Sequence, residues 1–319
     1  MIKAWPLLAW PLHRQALTIL IYHRVLPVPD PLRPGEAVAE TFERQMAFLA
    51  RHFAVLPLPE AVQQLQKGSL PRRTVCITFD DGYADNLTVA LPILERYRLP
   101  ATVFVATGYL DGGRMFNDAV IDAVARATSP LLDLRELGLG RHPVATIVER
   151  RMAVAALLEQ IKYRPPQQRA AEVEKLVQLS GGGSLPGDIM LTSPQVAELA
   201  RRGVEIGGHT VRHAILTTLD DGQAREEMAR GKQRLEAIIA KPVISFAYPN
   251  GRPQRDYAAR HAIMARELGF ELAVTTASGV GNRNSDPFQL PRFTPWGASV
   301  TMLGARMMRN AWTGEVARC

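Results

Sequence analysis

Short runs of consecutive apolar residues alternate with longer stretches in which apolar positions recur every three or four residues. The runs lie at 17–22, 53–57, 74–79 (TVCITF), 101–106 (ATVFVA), 204–207, 243–247 (VISFA), 271–276 (ELAVTT) and 289–293. Strands apolar on both faces belong to parallel sheets covered on both sides. Between them, ETFERQMAFLARHF, PEAVQQLQKG, NLTVALPILERY, REEMARGKQRLEAIIA and DYAARHAIMARELG carry the spacing of amphipathic helices. Eight strands' worth of this alternation predicts an α/β protein built as a distorted (β/α) barrel, not an open doubly wound sheet. No G-x-G-x-x-G follows the first run, so the dinucleotide-binding version lacks its key loop.

The alternation breaks between about 111 and 200, where NDAVIDAVARA, IVERRMAVAALLEQIKY and QQRAAEVEKLVQLS predict helices before the breaker GGGSLPGD. This reads as a helical insertion in one strand-to-helix connection. The expected organisation is a leader at 1–16 followed by one barrel domain over 17–319. The leader, MIKAWPLLAWPLHRQ, has a short apolar stretch interrupted by Pro6 and Pro11 and makes a poor signal peptide. It predicts a cytoplasmic or membrane-peripheral placement, and no apolar stretch is long enough to span a bilayer.

A hydrophobic fraction of 47% over 319 residues suffices for a large core. The net charge of +7 is spread in pairs such as Arg72-Arg73 and Arg201-Arg202. It suits an anionic membrane face, an acidic polymer or nucleic acid without selecting any of them, and no basic stretch interleaved with aromatics points to nucleic acid. Of two cysteines, Cys76 lies in an apolar run and Cys319 is the last residue, so a structural disulfide is not expected.

Functional groups of a parallel barrel gather where its strands end. TVCITF ends in Asp80-Asp81-Gly82-Tyr83, VEIGG in His209-Thr210-Val211-Arg212-His213, and VISFA in Tyr248-Pro249-Asn250-Gly251. FQLPRF carries Arg292 and leads to Trp296, while LTILIY ends in His23. Asp-Asp-Gly alone is a common turn. Two adjacent carboxylates behind an apolar strand nevertheless raise each other's pKa unless a cation separates their roles. His209 and His213, four apart, face the same way if the segment turns as a helix, and can then share one ion. Two histidines and one carboxylate leave positions open, as in a catalytic site.

TFDDGYADN, GHTVRH and YPNG together resemble the polysaccharide deacetylases of carbohydrate esterase family 4, over roughly residues 17–296 without the insertion. The resemblance implies a distorted (β/α) barrel, Asp80 as general base, Asp81, His209 and His213 as metal ligands, and zinc as the usual ion. Two departures stand out. The family's third motif begins with an arginine and contains an aromatic, whereas this chain reads Ala247-Tyr248-Pro249-Asn250-Gly251. The Asn250 N–H can still serve an oxyanion, and Arg292 is the candidate for the missing positive charge, with an exposed surface arginine as the alternative. The family's last motif supplies a catalytic histidine near the C-terminus, but no histidine follows His261 here. The branch of biofilm poly-N-acetylglucosamine deacetylases places that strand first in the chain, in a Tyr-His context that LIYHRV matches. The resemblance thus implies a circularly permuted barrel with His23 as general acid.

The expected activity is metal-dependent removal of N-acetyl groups from a polysaccharide or lipid-linked oligosaccharide. A carbohydrate-binding barrel without turnover, and a metal hydrolase acting on another amide or ester, are the alternatives. Tyr83, Tyr248, Arg292 and Trp296 are candidate substrate contacts, with a place in the core as the alternative for Tyr83 and Trp296. Asn117-Asp118 reads as a helix cap, with substrate contact as the alternative, and Glu205 as either a support behind the histidine strand tip or an ordinary paired carboxylate.

Overall fold

The computed structural model describes residues 15–181, 187–295, 297, 299–313 and 318–319. Its strands are β1 (Leu17–Tyr22), β2 (Val25–Leu26), β3 (Ala37–Val38), β4 (Ala54–Val55), β5 (Thr74–Phe79), β6 (Thr102–Val105), β7 (Leu131–Asp133), β8 (Arg141–Pro143), β9 (Glu205–Gly208), β10 (Ser245–Ala247), β11 (Leu272–Ser278) and β12 (Leu290–Arg292). The helices are α1 (Ala39–His52), α2 (Leu58–Lys67), α3 (Leu91–Arg96), α4 (Phe116–Arg126), α5 (Ile147–Ile161), α6 (Pro166–Leu179), α7 (Ser193–Arg201), α8 (Asp221–Ile239), α9 (Ala259–Glu267) and α10 (Val300–Thr313).

Seven parallel strands form the ring in the order β1, β5, β6, β9, β10, β11, β12. It closes where the Phe293 N–H donates to Ile19 O (2.7 Å) and the Ile21 N–H to Phe293 O (3.1 Å). The eighth expected strand takes no ring position. β1 occupies one edge of β5 throughout, and the other edge is divided between β4 at Thr74–Val75 and β6 at Thr78–Phe79. Pro57 follows β4 and begins the turn into α2, which leaves that strand no length to compete.

Strand residues alternate between two apolar cores, which explains runs without polar positions. Leu17, Ile19, Cys76, Phe104, Val274 and Leu290 fill the barrel interior together with Leu58, Val62 and Leu65 of α2. Leu20, Val75, Ile77, Phe79, Val103 and Ile206 pack outward under the surrounding helices. The Gly-Gly of β9 follows from this interior: a Cβ on Gly207 would stand 2.3 Å from the Phe104 ring.

The segment between β6 and β9 gathers a separate core from Val120, Val124, Leu132, Leu157 and Leu176. It is not wholly helical, since β7 and β8 form an antiparallel hairpin whose connection uses Gly138 and Gly140 at positive φ. Its last helix, α7, joins the main core through Val196 and Leu199. Neither α7 nor α10 is among the helices that the apolar spacing predicts. Leu303, Met307 and Ala311 of α10 are nonetheless buried at helical spacing in the main core.

A candidate metal centre and active-site cleft

The chain leaves β5 through two consecutive left-handed residues, Asp81 (φ 75°) and Gly82 (φ 85°). A side chain on Gly82 would press on Val105, with 3.0 Å from a Cβ to Cγ1, so the tight turn behind the carboxylates needs glycine. Asp81 has a Cβ and tolerates this backbone only because its surroundings hold it there; such outliers concentrate at functional sites.

The turn brings Asp81 Oδ1 to 3.4 Å from Nε2 of His209 and 3.4 Å from Nε2 of His213. The three ligand atoms lie within 4.8 Å of one another. Oδ1 is buried and, among the described residues, has no hydrogen-bond partner. Two ligands each about 2.1 Å from one ion at a tetrahedral angle stand about 3.4 Å apart, so the donor set and its spacing fit a divalent cation. His209 Nδ1 lies 2.7 Å from Ala247 O. That contact fixes the proton on Nδ1 and leaves Nε2 as the electron-pair donor. Burial pushes His213 down to about 3, with His209 and Arg169 adding to the effect, so its imidazole is neutral as a ligand must be. Burial also pulls His209 down, but Asp80 and Asp81 outweigh it and its net shift is upward. Burial raises the Asp81 carboxyl, and the His213 and His209 imidazoles overcome this, holding it well below the usual carboxylate range.

The His209–His213 segment is a loop, which corrects the expected helical turn. Thr210 (φ 63°) and His213 (φ 48°) are left-handed, and those reversals bring the two imidazoles together with ring centroids 4.8 Å apart. Buried Glu227 of α8 holds the loop: its Oε2 accepts from the N–H groups of Val211 (3.0 Å) and Arg212 (2.8 Å), and its Oε1 from Arg212 Nε (2.7 Å). The Gly108 N–H donates to Val211 O from the opposite side (2.7 Å).

Arg292 is 1% exposed, so neither the surface-arginine reading nor the substrate-contact reading holds. It lies inside the barrel and grips Asp80 through two parallel bonds, Nη1 to Oδ1 and Nη2 to Oδ2, each 2.6 Å. Its Nε donates to Thr275 O (2.8 Å) and Nη1 also to Thr78 Oγ1 (3.2 Å). Burial raises the Asp80 carboxyl, yet the guanidinium, helped by His209, more than cancels this and the net shift is downward.

His23 and Asn250 line the same cavity of about 460 Å³ as Asp80, Asp81, His209 and His213. The turn carrying His23 is pinned by residues just after the double aspartate. Asn86 Nδ2 donates to His23 O (2.9 Å), and Asp85 accepts from Arg24 Nε (2.8 Å) and the Val25 N–H (3.1 Å). Asn86 opens a π-helical turn, Asn86–Ala90, that runs into α3. Asn250 is left-handed (φ 57°), and among the described residues its N–H has no hydrogen-bond partner.

Other expectations are corrected. Tyr248 is 0% exposed, stacked on Tyr257 at 4.0 Å with its hydroxyl donating to Phe288 O (3.0 Å), so no face is left for a sugar. Tyr83 is cavity floor: it is 2% exposed, lies under the Arg24 guanidinium, and donates to Asp118 Oδ2 (2.8 Å). Asp118 is therefore no helix cap; the cap position of α4 belongs to Met115. Glu205 begins β9, at the opposite end of the strand from His209, where it bonds Thr102 and Ser245. Trp296 lies outside the described residues. The cavity also contains Glu36, Asn117, Lys162, Tyr163, Arg252 and Asp256, which no strand-tip pattern indicated. Tyr163 comes from the insertion, and its hydroxyl donates to Asp256 Oδ1 (3.2 Å).

The polysaccharide deacetylase family profile matches residues 67–156 and 158–273. Among curated proteins, YxkH of Bacillus subtilis (strain 168), named for polysaccharide deacetylases, is 24% identical over 283 residues, 86% of this chain and 70% of its own. A Staphylococcus aureus poly-beta-1,6-N-acetyl-D-glucosamine N-deacetylase is 41% identical over 70 residues, 22% of this chain and 24% of that protein. Among solved structures, the Streptococcus pyogenes deacetylase PplD in complex with acetate superposes with a TM-score of 0.62 at 21% identity, covering 93% of this chain and 98% of that one. IcaB from Ammonifex degensii gives 0.58 at 19% identity, covering 91% and 97%. At these identities the structural likeness speaks for the fold.

Proposed function

From this chain's membership of the polysaccharide deacetylase family, we propose that it hydrolyses N-acetyl groups of a glycan at a divalent metal centre, with zinc as the ion. The observation that carries this reading is the convergence of Asp81, His209 and His213 beside the Asp80–Arg292 pair in one cavity. Asp81 and the two histidines would hold the ion. When bound, it would acidify water at the site and polarise the acetamide carbonyl.

Asp80 is ionised and oriented by Arg292, so it can take the proton from the attacking water. The Asn250 N–H, unpartnered among the described residues, can donate to the oxyanion formed at the carbonyl carbon. His23, across the cavity, gives a proton to the nitrogen as the carbon–nitrogen bond breaks. Acetate and a free amine leave. The role proposed for Arg292 matches the charge that the third motif lacks. An N-acetylglucosamine polymer or lipid-linked oligosaccharide is the substrate in this reading, and the positive net charge suits an anionic membrane face or an acidic polymer nearby.

The test is acetate release from N-acetylglucosamine oligomers. Activity should vanish with a chelator, return with zinc, and fall about 10²–10⁴-fold in Asp80→Asn. Turnover that survives complete metal removal would refute the metal centre, and hydrolysis confined to non-glycan amides would refute the substrate class.

A further inference from the structure

Away from the metal centre, the insertion carries a cavity of about 480 Å³ between α4 and α6. It shares no lining residue with the cleft. Phe116 and Ala119 of α4 and Ala170, Val173 and Val177 of α6 give it apolar walls. Its volume lies within the roughly 300–1,000 Å³ of small-molecule sites.

Three guanidinium groups stand in the same lining, those of Arg114, Arg169 and Arg212. Two are answered by carboxylates: Arg114 pairs with Asp122, and Arg212 Nε donates to Glu227 Oε1 (2.7 Å). Arg169 differs, since it is 3% exposed and no carboxylate pairs with it among the described residues. Its Nη1 and Nη2 donate at 3.3 Å to the carbonyls of Lys162 and Arg212, and its plane lies over Phe116, 4.4 Å from the ring centroid. All of these partners are neutral. The first turn of α6, where Arg169 sits, contains no acidic residue, and the dipole at that end of a helix repels a cation. Burial accordingly lowers its pKa from the usual arginine value. A buried cation without a counter-ion is costly, and a bound anion removes that cost. Arg114 Nη2, buried and unpartnered among the described residues, adds a second donor to the lining. The one carboxylate of the lining, Glu174, is exposed to water.

The charges select the ligand. One unanswered cation calls for a monoanion, a planar guanidinium matches the two oxygens of a carboxylate, and apolar walls call for a hydrocarbon tail. We propose that this cavity binds an aliphatic carboxylate, its head on Arg169 and its chain between α4 and α6.

The test is calorimetric titration of the full chain with decanoate, hexanoate, decanol and decyl phosphate, each below micelle formation. Wild type is compared with Arg169→Gln and with Ala170→Trp, which places a ring in the cavity from an exposed position of α6. Decanoate should bind wild type one-to-one, about tenfold or more tighter than either decanol or hexanoate. Arg169→Gln should bind decanoate no better than decanol, and Ala170→Trp should bind neither. Should Arg169→Gln fail to fold, the wild-type preference and Ala170→Trp decide the matter. No binding of decanoate by wild type, equal affinity for decanoate and decanol, or variants that bind decanoate as wild type does would each overturn the proposal. Tighter binding of decyl phosphate than of decanoate would overturn it too, by making the site one for a phosphate head.

Discussion

Asp80 and Asp81 are chain neighbours with opposite surroundings: one faces a guanidinium, the other two imidazoles. Removing Arg292 would leave a buried carboxylate unpaired. Arg292→Ala should therefore cost about 3–5 kcal/mol of stability, read as a lowered denaturation midpoint. Arg292→Lys keeps the charge but loses the paired bonds, and should retain more stability than activity. The net effect at Asp80 is a lowered carboxyl pKa, whose stabilisation is present above its ordinary 3.8 and lost as pH falls below it. Without Arg292, burial pushes that group upward, and the acid limb of the activity profile should move to higher pH. An unmoved limb would exclude Asp80 as the group titrating there. For Asp81, zinc should raise the melting temperature of wild type but not of Asp81→Asn, since only a native site couples binding to folding.

Among the elements, the loop after β9 shows how two spaced histidines come together as a candidate ligand pair without a helix. Glu227 lies 15 or more residues from the groups it holds, and it anchors Val211 and Arg212 between the two histidines. Glu227→Gln keeps the shape but replaces a charged acceptor, and should weaken zinc affinity about 10–100-fold with the fold intact, measured by competition with a chelator. Unchanged affinity would show that the loop holds its own geometry. At the other end of β9, Glu205 is governed by burial, only partly offset by Ser245 and Thr102, and is raised from 4.5 to about 7. A raised carboxyl favours the protonated folded state. Its contribution to stability is thus complete below pH 4.5 and lost as pH rises toward 7. Glu205→Gln should flatten that slope in denaturation curves recorded across this window. A slope that persists would assign it to other groups.

For the whole molecule, seven ring strands enclose one apolar core and carry a second under the helices. Phe104 is a large side chain of the inner core, and β9 carries glycine to make room for it. Phe104→Ala should cost about 3–5 kcal/mol, mostly through the cavity it leaves, with the midpoint of urea unfolding as readout. The insertion brings its own core, and through Tyr163 it also bonds Asp256 at the cleft. It therefore forms part of the site's wall.

Periodicity and strand-tip chemistry are local properties, and they were legible without coordinates. Both-face apolar runs stated a covered parallel sheet, and Asp81, His209, His213, Asp80, His23 and Asn250 all stand around one cavity as their tip positions implied. What no local pattern contains is which distant group meets which. Arg292 reaches Asp80 across 212 positions, and only ring closure beside β1 brings its strand there. Tyr248 and Tyr83 share the strand-tip address of the site residues, but packing buried both, Tyr83 under the cavity and Tyr248 against Tyr257. The left-handed turns at Asp81, Thr210, His213 and Asn250 are likewise invisible in the sequence, because residues with a Cβ hold such backbone only when the surrounding contacts overrule local preference. The sequence by itself determined the sheet type and the kinds of chemical group at the rim; tertiary structure decided their pairing, since long-range contacts, not local spacing, set those distances.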